Sequence, residues 1–374
     1  MRVAGIMSGT SLDGIDVAIV DIQRRHIRPI AFHSTPYPDP VRKSILGVSN
    51  TTATTAEIAR LHFLLGQLYA SAVQETCRRH RIPLNSIQLV GCHGQTIYHQ
   101  GECAPFLGRP VAATLQIGEA SLMAEQLGVP VVSDFRPRDM AAGGKGAPLV
   151  PYLDYLLFRH PRKGRVALNI GGIANVTAIP PNARPPEVTA FDTGPGNMVI
   201  DALTAEFTKG RERFDRDGRI ASAGRLDRRL LDRLLAGPYY RQPPPKTAGR
   251  EQYGAAFLAE LKPRLPLRDL ITTSTAFAAA TIALGIERFI RPRMRVDELI
   301  AAGGGVHNRS LMGYLQAFLP GVRITRTADF GIDPDAKEAI AFAVLAYETC
   351  HRRPSNVPSA TGATHSVILG KVTH

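Results

Sequence analysis

Glycine and hydroxyl residues fill the turn that follows the first apolar run of this chain, in the order Ser8-Gly9-Thr10-Ser11-Leu12-Asp13-Gly14. Backbone N–H groups and hydroxyls in such a turn bind phosphate, since each donates to an anionic oxygen at little steric cost. Asp13 and Asp16 stand beside these hydroxyls, and carboxylates next to a phosphate commonly hold Mg²⁺, directly or through water. The pattern predicts a phosphate-binding turn, and an ordinary tight hairpin is the alternative.

Asp192 is the residue best placed to act as a catalyst. An apolar run, Val188 to Phe191, stops directly before it, and small residues follow in the order Thr193-Gly194-Pro195-Gly196-Asn197. A side chain at such a strand end projects rigidly, so its carboxylate can accept a proton from an attacking hydroxyl or water. The alternative is that Asp192 caps the next helix, a role for which Asn197 is at least as well placed.

Other turns of small residues also follow predicted strands, at Gly171–Asn175 and Gly303–Asn308. None of these turns has the spacing of a Walker phosphate loop, and none is a G-x-G-x-x-G motif that opens a helix. Each one alone is ordinary turn chemistry. Their recurrence at strand ends in two halves of the chain favours a nucleotide bound in a cleft between two domains.

Two further groups of polar residues could contact a polar substrate. Arg136, Arg138 and Asp139 follow a short predicted strand, where they can make charge-assisted hydrogen bonds. Surface ion pairing is the alternative for these three. The second group, suited to sugar hydroxyls, consists of His93, Gln95, Thr96 and His99. A lone histidine is more often structural, so neither histidine is given a catalytic role.

The elements that must position these residues form a pattern that occurs twice. The apolar runs Val3–Met7 and Ile15–Ile22 lie on either side of the first turn, which predicts a β-hairpin. Arg165–Ile170 and Val176–Ile179 surround the Gly171 turn in the same way. The repeat indicates two related α/β domains.

Helices are predicted where apolar residues recur at three- and four-residue spacing. Thr54–Arg79 has this pattern, Ser274–Phe289 is rich in alanine, and Asp335–Thr349 follows a proline that is suited to a helix start. Lys337 and Glu338 lie in the first turn of the last of these helices, where a solvated position is the default.

Composition narrows the class of protein. The 374 residues are 44% hydrophobic and 21% charged, as in a soluble globular protein that is long enough for two domains. A formal charge of +13 favours anionic ligands. The basic residues lack the aromatic interleaving of single-strand nucleic-acid binders, and the stretch Lys209–Arg250 predicts a polar insertion outside the core.

Cysteine usage and the lack of membrane signals favour the cytoplasm. Four cysteines without zinc-ligand or disulfide-framework spacing predict reduced thiols. No apolar run is expected to span a membrane, and the first residues lack the features of a signal peptide.

Together these motifs resemble one family, anhydro-N-acetylmuramic acid kinase, within the superfamily of actin, sugar kinases and heat-shock chaperone ATPases. The resemblance spans nearly the whole chain in family order, and its most specific segment is Gly5-Ile-Met-Ser-Gly-Thr-Ser-Leu-Asp-Gly-Ile-Asp16. The other matching segments are Cys92-His-Gly-Gln-Thr96, Asp134-Phe-Arg136, Ala141-Ala-Gly-Gly144, Gly146-Ala-Pro-Leu-Val-Pro151, Asn169-Ile-Gly-Gly-Ile-Ala-Asn175, Phe191-Asp-Thr-Gly-Pro-Gly-Asn197, Pro244-Pro-Lys246, Gly303-Gly-Gly-Val-His-Asn308 and Pro334-Asp-Ala-Lys-Glu-Ala339.

The resemblance implies an enzyme of peptidoglycan recycling that uses ATP and Mg²⁺. Members cleave the anhydro bridge of 1,6-anhydro-N-acetylmuramic acid and phosphorylate the released oxygen, which gives N-acetylmuramic acid 6-phosphate and ADP. Asp192 would be the general base that activates the attacking water, and Mg²⁺ would be held through Asp13 or Asp16. ATP would be bound by Gly9, Thr10, Ser11, Leu12, Asp13, Gly14, Ile15, Asp16, Gly171, Gly172, Gly194, Gly196, Gly303, Gly304, Gly305 and Asn308. The sugar would be contacted by His93, Gln95, Thr96, Arg136, Asp139 and Glu338.

The resemblance also implies an α/β fold of two actin-like, ribonuclease-H-like domains with an ATP and substrate cleft between them. Residues 1–130 and 340–374 would form domain I, and residues 131–339 would form domain II. A homodimer and hinge closure around substrate are expected, with no nucleic-acid or membrane partner. Lys145 departs from the family's usual Gly-Gly-Gln-Gly, and it either adds charge near the cleft or faces solvent.

Two alternative functions remain at this point. One is a kinase of the same fold that phosphorylates another amino sugar and leaves its ring intact. The other is a non-enzymatic, ATP-gated binding protein, which predicts salt-sensitive oligonucleotide binding and no ADP release with sugar.

Overall fold

The computed structural model describes residues 1–9, 12, 14–24, 26–261 and 265–374. The strands are β1 (Arg2–Ser8), β2 (Gly14–Gln23), β3 (His26–Pro36), β4 (Leu89–Phe106), β5 (Arg109–Ile117), β6 (Val131–Ser133), β7 (Arg165–Ile170), β8 (Ile173–Ile179), β9 (Thr189–Pro195), β10 (Glu298–Ala302), β11 (Arg323–Arg326) and β12 (Lys371–Thr373). The helices are α1 (Asp39–Val48), α2 (Thr55–Arg79), α3 (Ala120–Leu127), α4 (Phe135–Ala141), α5 (Pro151–Phe158), α6 (Met198–Phe207), α7 (Arg219–Ala223), α8 (Arg228–Leu235), α9 (Arg250–Tyr253), α10 (Ala255–Leu261), α11 (Leu267–Gly285), α12 (Arg309–Phe318), α13 (Lys337–Cys350) and α14 (Pro358–Thr361).

The chain divides into two compact units. Unit 1 comprises Met1–Leu157 and Ala336–His374, and unit 2 comprises Phe158–Asp335. The boundary expected at residue 130 therefore falls inside unit 1. The physical reason is that β6 pairs in parallel with β4, which ties the segment after residue 130 to the first sheet.

Both units contain a mixed sheet with the same strand order. In unit 1 the antiparallel strands β3, β2 and β1 are followed by β4 and β6, each parallel to its neighbour, and β12 closes the edge. In unit 2 the antiparallel strands β9, β8 and β7 are followed by the parallel strands β10 and β11. This shared order confirms the α/β, actin-like fold, and it confirms that the N-terminal hairpin and the hairpin around Gly171 are counterparts.

Helix α13 packs directly on β1 and β4 of unit 1 because two glycines leave room for its backbone. A Cβ added at Gly5 would lie 1.9 Å from the carbonyl oxygen of Ala339, and one added at Gly91 would lie 2.2 Å from that of Phe342. Lys337 opens the helix, but it is buried and donates to Asp154 Oδ1 at 3.0 Å, so its expected solvated position is wrong.

Helix α11 is the centre of the unit 2 core, where its alanine, threonine and phenylalanine residues are almost all buried. The helical stretch Leu267–Ile290 is long and apolar enough to cross a membrane, although the sequence predicted no such run. However, 89% of its most apolar 18-residue segment is buried inside the protein. Burial beneath the unit 2 sheet accounts for the apolar character of this helix.

The basic stretch around residues 209–250 contributes to the core, contrary to the expected insertion. Leu230 and Leu231 on α8 are buried with Ala221 and Tyr240 in the unit 2 hydrophobic cluster. Arginines occupy the opposite, exposed face of α8. The composition of the stretch is therefore polar even though one narrow face of the helix is apolar. All four cysteines are unpaired, as expected, with Cys77 and Cys92 buried.

Candidate active site

The small-residue turns of unit 2 lie against one another. Backbone N–H groups of Gly196 and Asn197 each donate at 2.8 Å to the carbonyl oxygens of Gly172 and Gly171, respectively. A Cβ added at Gly196 would lie 2.2 Å from the Gly171 carbonyl oxygen, so only glycine permits this approach. Gly172 is itself exposed, which leaves the tip of the β7–β8 hairpin accessible to a ligand.

The Gly303–Gly305 turn joins the same cluster. Gly303 has φ = 81°, and a Cβ there would meet the Asn169 side chain and the Ile170 carbonyl, each at 2.8 Å. A Cβ at Gly305 would lie 3.2 Å from Asn197 Oδ1. The structure therefore brings together three of the glycine turns that the sequence singled out in this unit.

Two predicted ATP contacts of unit 2 have structural positions instead. Gly194 is buried, and a Cβ there would lie 3.0 Å from Thr281 Oγ1 on α11. Asn308 is the N-cap of α12, since its Oδ1 accepts from the Leu311 N–H at 3.0 Å. Both residues therefore have a structural part in shaping the turns.

Asp192 lies within β9, because this strand continues to Pro195. Asp192 is paired with Asn175, and the next pair is Gly194 with Ala174, so Thr193 is an extra residue in the ladder. Such a bulge bends a strand and redirects its side chains, and bulges are frequent next to active sites. The expected capping alternative finds no support, since α6 begins only at Met198.

The Asp192 carboxylate is held at one oxygen. The Ala248 N–H donates to Oδ2 at 2.8 Å, and among the described residues no donor contacts Oδ1. Burial raises the pKa of Asp192 to about 7, although the Ala248 N–H and the charge of Lys246 oppose this rise. A half-buried carboxylate with this pKa is suited to general-base chemistry near neutral pH.

In unit 1 the described residues of the turn predicted to bind phosphate include buried apolar side chains. Leu12 has φ = 59° and is buried, as is Ile15, and both belong to the unit 1 hydrophobic cluster. A Cβ at Gly14 would lie 2.5 Å from the Thr35 carbonyl oxygen on β3. Asp16 follows on β2, opposite Met7. The expected ligands Thr10, Ser11 and Asp13 lie outside the described residues.

A buried hydrogen-bond chain supports the end of β1. Ser8 Oγ donates to Gln95 Oε1 at 2.5 Å and accepts from the Tyr37 hydroxyl at 2.8 Å, and the Tyr69 hydroxyl lies 3.3 Å from that of Tyr37. Gln95 is only 1% exposed, so its amide serves the fold instead of the sugar contact expected. Thr96 is half-buried, and its hydroxyl accepts from Gln116 at 3.3 Å.

Arg136, which is half-buried, and the buried His93 form a pair in unit 1. The guanidinium donates to His93 Nε2 through Nη2 at 2.8 Å and to the Gly146 carbonyl at 2.7 Å. Burial, and then the Arg136 charge, lower the pKa of His93 to about 3, so the imidazole is a neutral acceptor. Burial lowers the pKa of Arg136 to about 10, opposed by Glu338 and Asp139. The structure thus brings Glu338 near this pair.

Asp139, expected in the sugar pocket, is instead fully buried. It accepts hydrogen bonds from the Gly146 N–H at 2.9 Å and from Asn356 and Thr361, each at 2.8 Å. These contacts fix the glycine-rich segment after α4 and give both carboxylate oxygens a partner within the protein. Lys145, whose role was open, forms an ion pair with Glu102 on β4.

Sequence reasoning assigned no role to Tyr239, Lys246 or Ala248, all of which contact Asp192. Tyr239 donates to the Asp192 carbonyl at 2.7 Å, and Lys246 accepts from the Asp192 N–H at 3.1 Å. Their separation from Asp192 along the chain, 47 residues for Tyr239 and 56 for Ala248, hides them from local patterns. The only signal was a tyrosine pair and the Pro-Pro-Lys motif in an otherwise basic stretch.

Comparison with known proteins gives a consistent result. A family model described as "Anhydro-N-acetylmuramic acid kinase" matches residues 1–374. Relatives of that name come from Caldanaerobacter subterraneus subsp. tengcongensis, 42% identical over 99% of this chain and 96% of the relative, and from Salinibacter ruber, 43% identical over 99% and 95%. A third, from Bacillus cereus strain G9842, is 44% identical over 100% and 99%.

Proposed function

Because this chain belongs to the anhydro-N-acetylmuramic acid kinase family, we propose that it opens the anhydro bridge of 1,6-anhydro-N-acetylmuramic acid with water and phosphorylates the released oxygen from ATP. The products are N-acetylmuramic acid 6-phosphate and ADP. The observation that carries the proposal is Asp192, which has one carboxylate oxygen fixed by Ala248 and the other without a donor among the described residues, with a pKa near 7.

Asp192 acts in this proposal as the general base. Its carboxylate takes a proton from water as the water oxygen bonds to the anomeric carbon and the bond from that carbon to the bridge oxygen breaks. The bridge oxygen then bonds to the γ-phosphorus, and the bond from that phosphorus to the β–γ bridging oxygen breaks, releasing ADP. The proton on Asp192 passes to solvent. The glycine turns at 171–172 and 303–305 supply backbone N–H groups for the nucleotide.

The residues of this site fit a Mg²⁺ ion that binds together with the phosphates of ATP. Within the described residues no group of three or more histidine, cysteine or acidic side chains could hold a metal, whereas Mg²⁺ usually binds through one or two carboxylates plus substrate phosphates. Asp16 is the described carboxylate beside the phosphate-binding turn, and Asp13 is its companion in the sequence. The ion would neutralise phosphate charge during transfer.

The decisive experiment follows oxygen from water. The protein is incubated with ATP, Mg²⁺ and the anhydro sugar in ¹⁸O-labelled water, and the product is analysed by mass spectrometry. We expect one labelled oxygen, at the anomeric carbon, together with one ADP per sugar. An unlabelled phosphosugar would indicate a kinase that leaves the ring intact, and ATP binding without ADP release would indicate a non-enzymatic protein.

The activity should depend on pH through Asp192. A base acts when ionised, and burial raises the pKa of this carboxylate to about 7, so kcat/KM should fall about tenfold per pH unit below 7. Initial rates measured between pH 5 and 8 test this. A profile that is flat down to pH 5 would contradict the assignment.

Arg136 is proposed to bind the lactyl carboxylate of the sugar. Loss of a charge-assisted hydrogen bond costs about 1.5–3 kcal/mol, so Arg136→Gln should lower kcat/KM roughly 10- to 100-fold. The anhydro sugar without the lactyl group should show no difference between this variant and the parent. The matched control is Arg109→Gln, an exposed position at the start of β5. Equal losses on both sugars would refute the lactyl contact.

Assembly and location are proposed from the family resemblance. We expect a homodimer, which sedimentation would test, and a cytoplasmic enzyme of peptidoglycan recycling, since ATP is its co-substrate. No nucleic-acid partner is expected, and salt-sensitive oligonucleotide binding would contradict this.

A further inference from the structure

Three atoms of Asp192 are held by one stretch of unit 2. The Asp192 N–H donates to the Lys246 carbonyl at 3.1 Å, and its carbonyl accepts from the Tyr239 hydroxyl at 2.7 Å. Its Oδ2 accepts from the Ala248 N–H at 2.8 Å. The stretch from Tyr239 to Ala248 therefore determines both the backbone position and the side-chain orientation of this carboxylate.

The Lys246 ammonium group organises that stretch from within. Lys246 is 6% exposed, and its Nζ donates to the Tyr239 carbonyl at 3.1 Å. The ammonium lies 4.6 Å from the ring centroid of Tyr239, 4.7 Å from that of Phe289 and 5.8 Å from that of Phe191. No carboxylate in the described part of the chain lies within ion-pair distance of it. Aromatic faces and one carbonyl thus stabilise a buried cation in place of an ion pair.

We propose that Lys246 is a positioning residue for Asp192, which orients the carboxylate by linking the Tyr239 turn to the 246–248 segment and keeps it ionised through the charge on Nζ. This inference rests on the proposed function, in which Asp192 is the base. Lys246 itself does not contact the reacting atoms in this scheme.

In the part of the chain that the structure describes, few charged or titratable groups surround Asp192 and Lys246. Arg288, in the helical segment Ile286–Ile290 that continues α11, donates to the Tyr240 carbonyl at 2.9 Å. The hydroxyls of Tyr240 and Tyr253 are bonded to each other at 2.8 Å. Burial, and then the Arg288 charge, lower the pKa of Lys246 to about 8, while Asp192 opposes the shift. Burial raises the pKa values of Tyr239, Tyr240 and Tyr253, so their hydroxyls stay neutral. Lys246 is therefore the cation whose charge changes near the working pH.

The test compares Lys246→Met with Lys246→Arg. Methionine fills a similar volume against the aromatic rings without a charge, so kcat should fall at least tenfold and the acid limb of the pH profile should move upward by about one unit. The parent should lose activity above pH 8, where Lys246 loses its charge. Arginine keeps the charge at all pH values, so its acid limb should stay at the parent position and this decline should be absent. A Lys246→Met profile that coincides with the parent profile would overturn the inference, whatever its amplitude.

Two controls separate the possible failures. Lys209→Met changes an exposed lysine after α6 and should leave kcat and the pH profile unchanged. Thermal unfolding of each variant shows whether lost activity reflects lost folding, which reduces amplitude without moving a pH limb. If Asp192→Asn stays active, the proposed function fails. If that variant is inactive but Lys246→Met keeps the parent profile, only the positioning role fails.

Discussion

Asp192→Asn should lower kcat by about 10²- to 10⁴-fold, the range typical of a lost general base. Asparagine keeps the shape of the side chain and can still accept from the Ala248 N–H through its amide oxygen. It cannot take a proton from water, so bond cleavage at the anomeric carbon should fail while nucleotide binding persists. Steady-state rates of ADP release with the anhydro sugar, together with ATP titration by calorimetry, measure the two effects separately.

The same substitution should not weaken the fold. The pKa of Asp192 is raised from 3.8 to about 7 in the folded protein, so the destabilisation it causes is complete above pH 7, shrinks as the pH falls, and is absent only below pH 3.8. Thermal unfolding of Asp192→Asn should therefore match or exceed that of the parent at pH 8, and the difference should shrink as the pH is lowered towards 4. Asp232→Asn, at an exposed position on α8, is the matched control. Near-normal turnover by Asp192→Asn would refute its role.

Gly5→Ala should destabilise unit 1 by about 3 kcal/mol or more, since overpacking against backbone atoms finds no flexible neighbour to move. The new Cβ would lie 1.9 Å from the Ala339 carbonyl oxygen and 2.7 Å from the Ala343 nitrogen. Helix α13 would have to move away from β1, and Glu338 in its first turn would move with it. Activity should fall along with the urea unfolding midpoint.

Gly47→Ala provides the control for this substitution. Gly47 lies in α1 of the same unit, and a Cβ there meets nothing within 4 Å. Alanine in a helix is favoured over glycine by about 0.5–1 kcal/mol, so this variant should be as stable as the parent or slightly more so. If the two alanine variants unfold at the same urea concentration, the close packing of α13 on β1 does not constrain the fold.

Local patterns in the sequence were sufficient for the hairpins and the helices. The β1–β2 hairpin follows from apolar runs around a glycine and hydroxyl turn, and α2 follows from its apolar spacing. The repeated hairpin correctly indicated two related sheets. Asp192 could be selected because its surroundings in the sequence, an apolar strand before and small residues after, are local features.

What the sequence could not supply depends on distant contacts. Asp139 and Asn356 are 217 residues apart, so no local pattern shows that this carboxylate is satisfied inside the fold. The apolar stripe of α8 is hidden among arginines, and the inclusion of β6 in unit 1 depends on pairing with β4. Lys246 belongs to a Pro-Pro-Lys motif, but that motif does not reveal the contacts of its ammonium with the rings of Phe191 and Phe289.

The place of α13 also has a consequence for synthesis on the ribosome. Gly91 and Lys337 are separated by 246 positions in the sequence, and translation at about 5–20 residues per second needs roughly 12–50 s to cover them. During that interval every residue of unit 2 emerges, while the glycine-lined face of β1 and β4 has no helix to cover it. The middle of the polypeptide can thus reach its native state first, and the nascent N-terminal strands need protection from aggregation until residues 337–350 arrive.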